Sequence, residues 1–331
     1  MATQQLGLRF NVVGVIPAAT LIVFVAAILM SGAPDRSPSP ERLSSALSAL
    51  SVLDVTLVVA VAIVLAMLLH PFLFQFVQAL EGYWAPIGPL GVAAEMGRTR
   101  HAARRTDLYE AARAIEPSGW WQRHFDYLLD QHREHAGRLF ATFPEASWGI
   151  MPTRLGNELR RAERLAGDRY GLEAIEVIPR LYPLMPATMV RTIDDARNEL
   201  DVAASFVFVW LTATGVGFVA LWPYGPWLVI PLVTYLLAYL SYLGAVGAAR
   251  YYGQTLTWAI DLYRFQLLEQ LRIDLPKTHC EELEKNPHLK AIFGGQYVRD
   301  GGGSPPDVGA YQHPEPSRTL AAPSAGDEAL P

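Results

Sequence analysis

The chain has 331 residues, 51% of them hydrophobic and only 18% charged, with a formal net charge of −5 and one cysteine, Cys280. Soluble domains are about a quarter charged, so the deficit points to membrane spans. The acidic balance argues against a nucleic-acid partner, which calls for a basic face, and a single cysteine excludes an internal disulfide.

No Asp, Glu, Lys or Arg lies between Arg9 and Asp35, between Asp54 and Glu81, or between Asp201 and Arg250. A spanning helix needs roughly 20 apolar residues to cross ~30 Å of hydrocarbon. The first two gaps each fit one crossing, and the third fits two joined by a tight turn. The expected fold is all-α: a polytopic helical membrane protein with four transmembrane helices and a helical cytoplasmic domain.

The first span is predicted from Phe10 to Met30, with Pro17 inside it. Its apolar run exceeds the ~7–15 residues of a cleavable signal, so it reads as a retained helix. Asp35 to Ser51, with Ser37-Pro38-Ser39-Pro40, reads as an exposed loop. The second span starts near Val52, is interrupted by His70-Pro71, and ends at Tyr83-Trp84, aromatics suited to the membrane–water boundary.

Residues 82–200 hold sixteen Arg, no Lys and sixteen acids. Basic residues near span ends decide orientation. Arg98, Arg100, Arg104 and Arg105 follow the second span, Arg191 and Arg197 precede the third, and Arg250 follows the fourth, whereas Trp222-Pro223-Tyr224-Gly225-Pro226 is uncharged. The block and both termini are therefore expected in the cytoplasm and the spans in the cell membrane. The dominance of Arg among the basic residues, with abundant Ala, suits a GC-rich bacterial genome.

Within the block, residues 92–115 and 118–142 show helical periodicity. Thr153 caps a third predicted helix with Leu155, Leu159 and Ala162 on one face and Gly167 and Gly171 bracketing its end. Leu172 to Ile178 is read as a helical turn or a brief extended piece. Pro179, Pro183 and Pro186 preclude one continuous helix from 179 to 186. A helix is expected to restart at Ala187 and enter the third span, and the fourth to run on to about Asp274, with Gly253 as a break point. The resulting division is 1–84, an N-terminal two-helix transmembrane region; 85–186, the cytoplasmic domain; 187–275, a hairpin with helical extensions; and 276–331, a largely disordered cytoplasmic tail.

His70 is the one ionisable residue well inside a span, which makes it a candidate for proton relay or gating, against simple solvation at a proline kink. His124, His132 and His135 share an arc with interleaved acids, but Arg133 between them favours a solvated face over a metal site. Cys280 with His279 and His288 offers too few ligands for zinc. Trp120-Trp121 fits a partner anchor, a core or a headgroup contact equally. Arg154, Asn157 and Arg180 are candidates to converge on a lipid or nucleotide phosphate, although a structural network around the prolyl corner is preferred because no glycine-rich cradle accompanies them.

Small residues at Ala213 and Gly217, and at Gly244, Gly247 and Ala248, offer faces for close helix approach. Tyr235, Tyr239 and Tyr242 share a face of the fourth span, as a packing stripe more than a pore lining.

The stretch from Thr153-Arg154-Leu155-Gly156-Asn157 through Tyr170-Gly171 to Pro179-Arg180-Leu181, with Leu80-Glu81-Gly82-Tyr83-Trp84 before it, resembles multi-pass membrane proteins of GC-rich bacteria over about half of the chain. The resemblance implies no activity and transfers no functional residue. With no Walker loop, nucleophile elbow or metal spacing, no catalytic residue, cofactor or metal is expected. The leading expectation is a non-enzymatic scaffold or signalling component embedded in the lipid bilayer, binding a protein partner or a second copy of itself. The alternative is a homo-oligomeric channel or small transporter lined by Ser205, Thr212 and Thr214.

Overall fold

The computed structural model describes residues 11–84, 88–113, 133–144 and 149–294. Among these residues every regular element is helical, and four helices are long and apolar enough to cross a membrane: Val13–Met30, Val52–Glu81, Ala187–Leu221 and Gly225–Gln270. The charge gaps thus correspond to an all-α membrane protein with four spans.

The first span is a π-type turn, Asn11–Val15, leading into α1, Ile16–Met30. The widened turn lies where the Pro17 ring would otherwise meet the preceding carbonyl. Between the first two spans lies a helix where a loop was expected: α2, Pro40–Ser48, capped by the Ser39 side chain, with Pro40 at its first position. That pairing of cap and proline is a helix start embedded in Ser/Pro-rich composition. The second span is α3, Val52–Leu69, opened by a Ser51–Asp54 capping box, then a 3₁₀ turn at His70–Phe72, then α4, Leu73–Glu81. Gly82 closes α4 at φ +95° against Pro152, where a Cβ would sit 2.2 Å from the ring.

Beyond it come α5, Pro89–Arg113, a helical segment at 133–140, and α6, Arg154–Asp168. Helix α7, Ala174–Leu181, resolves the ambiguous stretch as helix and carries Pro179 inside it. Pro179 and Ile175, whose carbonyl the missing N–H would have met, are both exposed, so the lost bond is not buried. The chain then turns and restarts as α8, Ala187–Leu221, the third span.

After a 3₁₀ turn at Gly225–Leu228, α9 runs unbroken from Val229 to Gln270, about 63 Å at 1.5 Å per residue. It ends four residues short of Asp274, where Arg272 turns left-handed at φ 58°. Gly253 does not interrupt it. A Cβ there would lie 2.4 Å from the Ala162 Cβ, so the glycine lets α6 approach.

The tail assignment at 276–331 needs correction. Its first part is α10, His279–Phe293, capped by Thr278 and folded back onto α9. Leu289 and Asn286 are buried there, beside Leu268 and Ile273. The remaining tail, and the Trp120-Trp121, His124 and His132 positions, lie outside the described residues.

Packing centres on the α8–α9 hairpin, with α1 against α8, α4 between α8 and α6, and α6 and α7 along α9. Phe76 of α4 stacks on Phe208 of α8 at 4.4 Å between ring centroids. The core does not divide at residues 84 and 187. One cluster joins Val77 of α4, Leu155 and Leu159 of α6, Leu200 of α8 and Ala245 of α9, and a second joins α7, α8 and α9. At one end of the spans the Tyr224 hydroxyl donates to the Pro34 carbonyl at 2.6 Å, so the first loop and the hairpin turn share an end. The helices α5, α6, α7 and α10, with the distal parts of α8 and α9, form a collar at the other.

The small-residue expectation is half realised. Ala213 is buried and Gly217 faces Phe24 and Pro231, but Gly244 and Gly247 have nothing within 4 Å, and Ala245, Val246 and Ala249 pack instead.

Candidate functional site at the collar

The first turn of α6 organises the collar. Thr153 accepts from the Gly156 N–H at 3.0 Å and donates to the Glu81 carbonyl at 2.8 Å, so one hydroxyl both caps α6 and ties down the end of the second span. Asn157 is buried, accepts from the Met151 N–H at 2.8 Å and donates to the carbonyls of Met151 and Thr153 at 3.0 and 2.9 Å. From α9, the Tyr242 hydroxyl accepts from the Leu155 N–H at 3.2 Å. These bonds occupy donors that a helix start leaves orphaned.

Beside them Glu158, only 1% exposed, pairs with Arg250 of α9. Arg161 lies within the field of both, its charge disfavoured by burial and by Arg250 and favoured by Glu158. Burial pushes the Glu163 carboxyl above its ordinary value, against the pull of Arg160, Arg197 and Arg164. Further along α9 a second pair, Arg264 to Glu282 at 2.7 Å and with both side chains largely covered, fixes α10. Tyr170 donates to Asp261 at 2.8 Å and receives the Asn286 amide on its carbonyl at 2.7 Å.

Two cavities open among these groups. One, of about 460 Å³, is lined by Arg100, His101 and Arg104 of α5, Thr153 and Arg154 of α6, Thr142, and Tyr239 and Tyr242 of α9, with no carboxylate in its wall. The other, of about 410 Å³, is lined by Arg138, Arg161, Arg169 and Arg250 together with Glu158, and shares Thr142 with the first. In the second cavity Arg250 is paired with Glu158, Arg169 with Asp261 and Arg138 with Glu134. The first cavity thus has three arginines and no carboxylate in its wall, whereas the second has four, three of them paired.

Four residues singled out in the sequence fall in three places. Arg154 and Asn157 come together at the start of α6, one in the first cavity and the other in the buried network. Arg180 joins neither. It donates to the Glu176 carbonyl of its own helix and its guanidinium sits 4.2 Å from the Phe293 ring, tying α7 to α10. His70 lies exposed on the second span at the 3₁₀ turn. His135 and Cys280 are exposed, and no group of three or more His, Cys, Asp or Glu able to hold a metal occurs among the described residues.

Arg100 and Arg104, read from the sequence only for orientation, Tyr242, read as part of a packing stripe, and His101 were not anticipated at this site. The one readable signal was the i, i+4 repeat of Arg100 and Arg104, which puts like charge on one helix face. Comparison with known families, curated proteins and solved structures finds no match to this chain.

Proposed function

We propose that this protein is a non-enzymatic scaffold or signalling component of a bacterial cell membrane, with the collar and both termini in the cytoplasm and a protein partner received on the collar. The observation that carries this reading is mechanical continuity. Helices α8 and α9 leave the membrane without a break, and ion pairs to the buried carboxylates of Glu158 and Glu282 clamp α6 and α10 onto the same α9 rod. A displacement at the span end is therefore delivered to the collar surface without passing through a flexible joint. The orientation rests on Arg98, Arg100, Arg104, Arg105, Arg191, Arg197 and Arg250, which all lie towards the collar, against the uncharged Trp222–Pro226 turn.

The channel alternative is less favoured because its hydroxyls are already engaged within one subunit. Ser205 donates to the Asp201 carbonyl, and Thr214 pairs with Thr234 of α9 at 2.9 Å after bonding the Trp210 carbonyl. Only Thr212 among the three faces outward.

Purified protein in liposomes, stepped in voltage and osmolarity, tests this reading. No flux is expected, and photo-crosslinkers at exposed collar positions such as Leu165 and Leu283 should capture one reproducible partner in native membranes, whereas probes at the Tyr224 turn should not. Ion flux that vanishes in Thr212→Val would overturn the scaffold and establish the channel. Reporter fusions after Gly294 and within the Trp222–Pro226 turn check the orientation, being cytoplasmic-active at the first and periplasmic-active at the second.

A further inference from the structure

We propose that the cavity walled by Arg100, Arg104 and Arg154 binds a phosphate group presented at the membrane boundary. Its arginine charge is unbalanced. None of these three guanidiniums takes part in an ion pair among the described residues, whereas three of the four arginines of the neighbouring cavity do. Like charges at i, i+4 on α5 are unfavourable unless an anion sits between them, and Arg154 converges on the same space from a second helix. Gly97 makes this convergence possible. A Cβ there would lie 2.5 Å from the Pro152 carbonyl, so α5 packs directly on the residues preceding α6.

The wall also supplies a neutral donor suited to a phosphate oxygen, the hydroxyl of Tyr239, whereas that of Thr142 is spent on the Leu139 carbonyl at 2.7 Å. The Nδ1 atom of His101 is buried in that wall with no hydrogen-bond partner. The imidazole is held below its ordinary pKa by burial and then by the charges of Arg100, Arg104 and Arg154, as their places in one wall require. Guanidinium forks match phosphate geometry, and their cost of desolvation is lower than that of ammonium.

Position favours a phospholipid headgroup over a soluble phosphate. Tyr239 and Tyr242 lie about 21 and 26 Å along the helix from Gly225, close to the far edge of a ~30 Å hydrocarbon layer. Tyr239 is half exposed on the outside of the span, and the turns of α5 that lead to Gly97 in the cavity wall expose Leu90, Val92 and Met96. An acyl chain therefore has an apolar surface to follow from the cavity into the bilayer.

The full chain is reconstituted in nanodiscs of phosphatidylcholine alone or with phosphatidylglycerol, and retained lipid is counted by native mass spectrometry. In a parallel arm, inorganic phosphate and pyrophosphate are titrated into the phosphatidylcholine discs while the thermal midpoint is followed. Wild type is expected to retain phosphatidylglycerol. Arg100→Gln, Arg104→Gln and Arg154→Gln should each weaken retention about ten-fold or more, as expected for loss of one charge-assisted hydrogen bond. Arg138→Gln and Arg169→Gln, which remove the same charge from the other cavity, should not. A midpoint rise with phosphate or pyrophosphate that the first three variants abolish, without lipid retention, supports the phosphate site and assigns it a soluble source. If wild type neither retains phosphatidylglycerol over phosphatidylcholine nor responds to phosphate, or if both sets of variants behave alike, the proposal is overturned. Wild type alone decides the first of these outcomes, so a variant that fails to fold leaves the test intact.

Discussion

Replacing Glu282 by alanine should release α10 while leaving the spans folded. The Glu282 side chain is 4% exposed and that of Arg264 15%, with the Arg264 Nε donating at 2.7 Å. The same guanidinium sits 4.0 Å from the Tyr170 ring and 4.2 Å from the Phe265 ring, so it has little freedom to swing into water. Removing one partner of a buried pair leaves the other charge uncompensated and costs roughly 3–5 kcal/mol. What else holds α10 is of similar size: Leu289, 2% exposed, contributes about 1.5–3 kcal/mol, the Asn286 bond to the Tyr170 carbonyl about 1 kcal/mol, and the partly exposed Lys290–Glu173 pair and Arg180–Phe293 contact up to about 1 kcal/mol each. The loss therefore matches the docking energy, and local undocking is the expected result. Amide hydrogen exchange in nanodiscs reads this directly. Protection over residues 279–293 should fall about 10²- to 10³-fold, while α8 and α9 within the bilayer keep theirs. Glu282→Gln, which retains an acceptor without the charge, should fall between. Exchange of α10 within about three-fold of wild type in Glu282→Ala would refute the reasoning, as would an equal loss of protection in the spans.

Two further outcomes follow from packing and charge. Gly253→Ala places a Cβ 2.4 Å from that of Ala162 and should cost about 1–3 kcal/mol, seen as a lower thermal midpoint in detergent, whereas Gly244→Ala, with nothing within 4 Å, should leave it unchanged. Because burial raises the folded-state pKa of Glu163, the folded protein holds that proton to higher pH than the unfolded chain does. Its contribution to stability is then full below the unfolded value near 4.5 and lost as pH rises towards the folded value. Glu163→Gln should flatten the fall in thermal midpoint as pH rises above about 4.5.

The spans were legible because hydrocarbon tolerates so few charges that their absence is itself a signal. Thr153 was legible too, since a hydroxyl before an amphipathic run has a local reason to be there. Helix α10 was hidden because its residues are mostly polar and Pro287 interrupts the pattern, so its burial depends on Arg264 and Tyr170 far away in sequence. Gly253 was misread for a related reason. Its role is set by Ala162, a neighbour that only the fold supplies. The same holds for the first cavity, where Arg154 was noticed but its companions Arg100 and Arg104 lie on another helix. Arg180 was grouped with Arg154 and Asn157 by nearness in sequence, whereas α7 carries it to Phe293.

Helix α9 also imposes a rule of phase. Its attachments fall at Tyr242, Arg250, Gly253, Asp261 and Arg264, so that 242, 253 and 264 repeat at eleven residues, as do 250 and 261. Eleven residues turn an α-helix only about 20° past three full revolutions, and the eight from Tyr242 to Arg250 turn it about 80° past two, so the five attachments fall within an arc of about 100°. A single residue inserted between Tyr242 and Arg250 would swing the four later attachments by about 100° at once. The shaft behaves as a keyed axle, able to vary in side chain along its free flanks but not in length between its first key and its last.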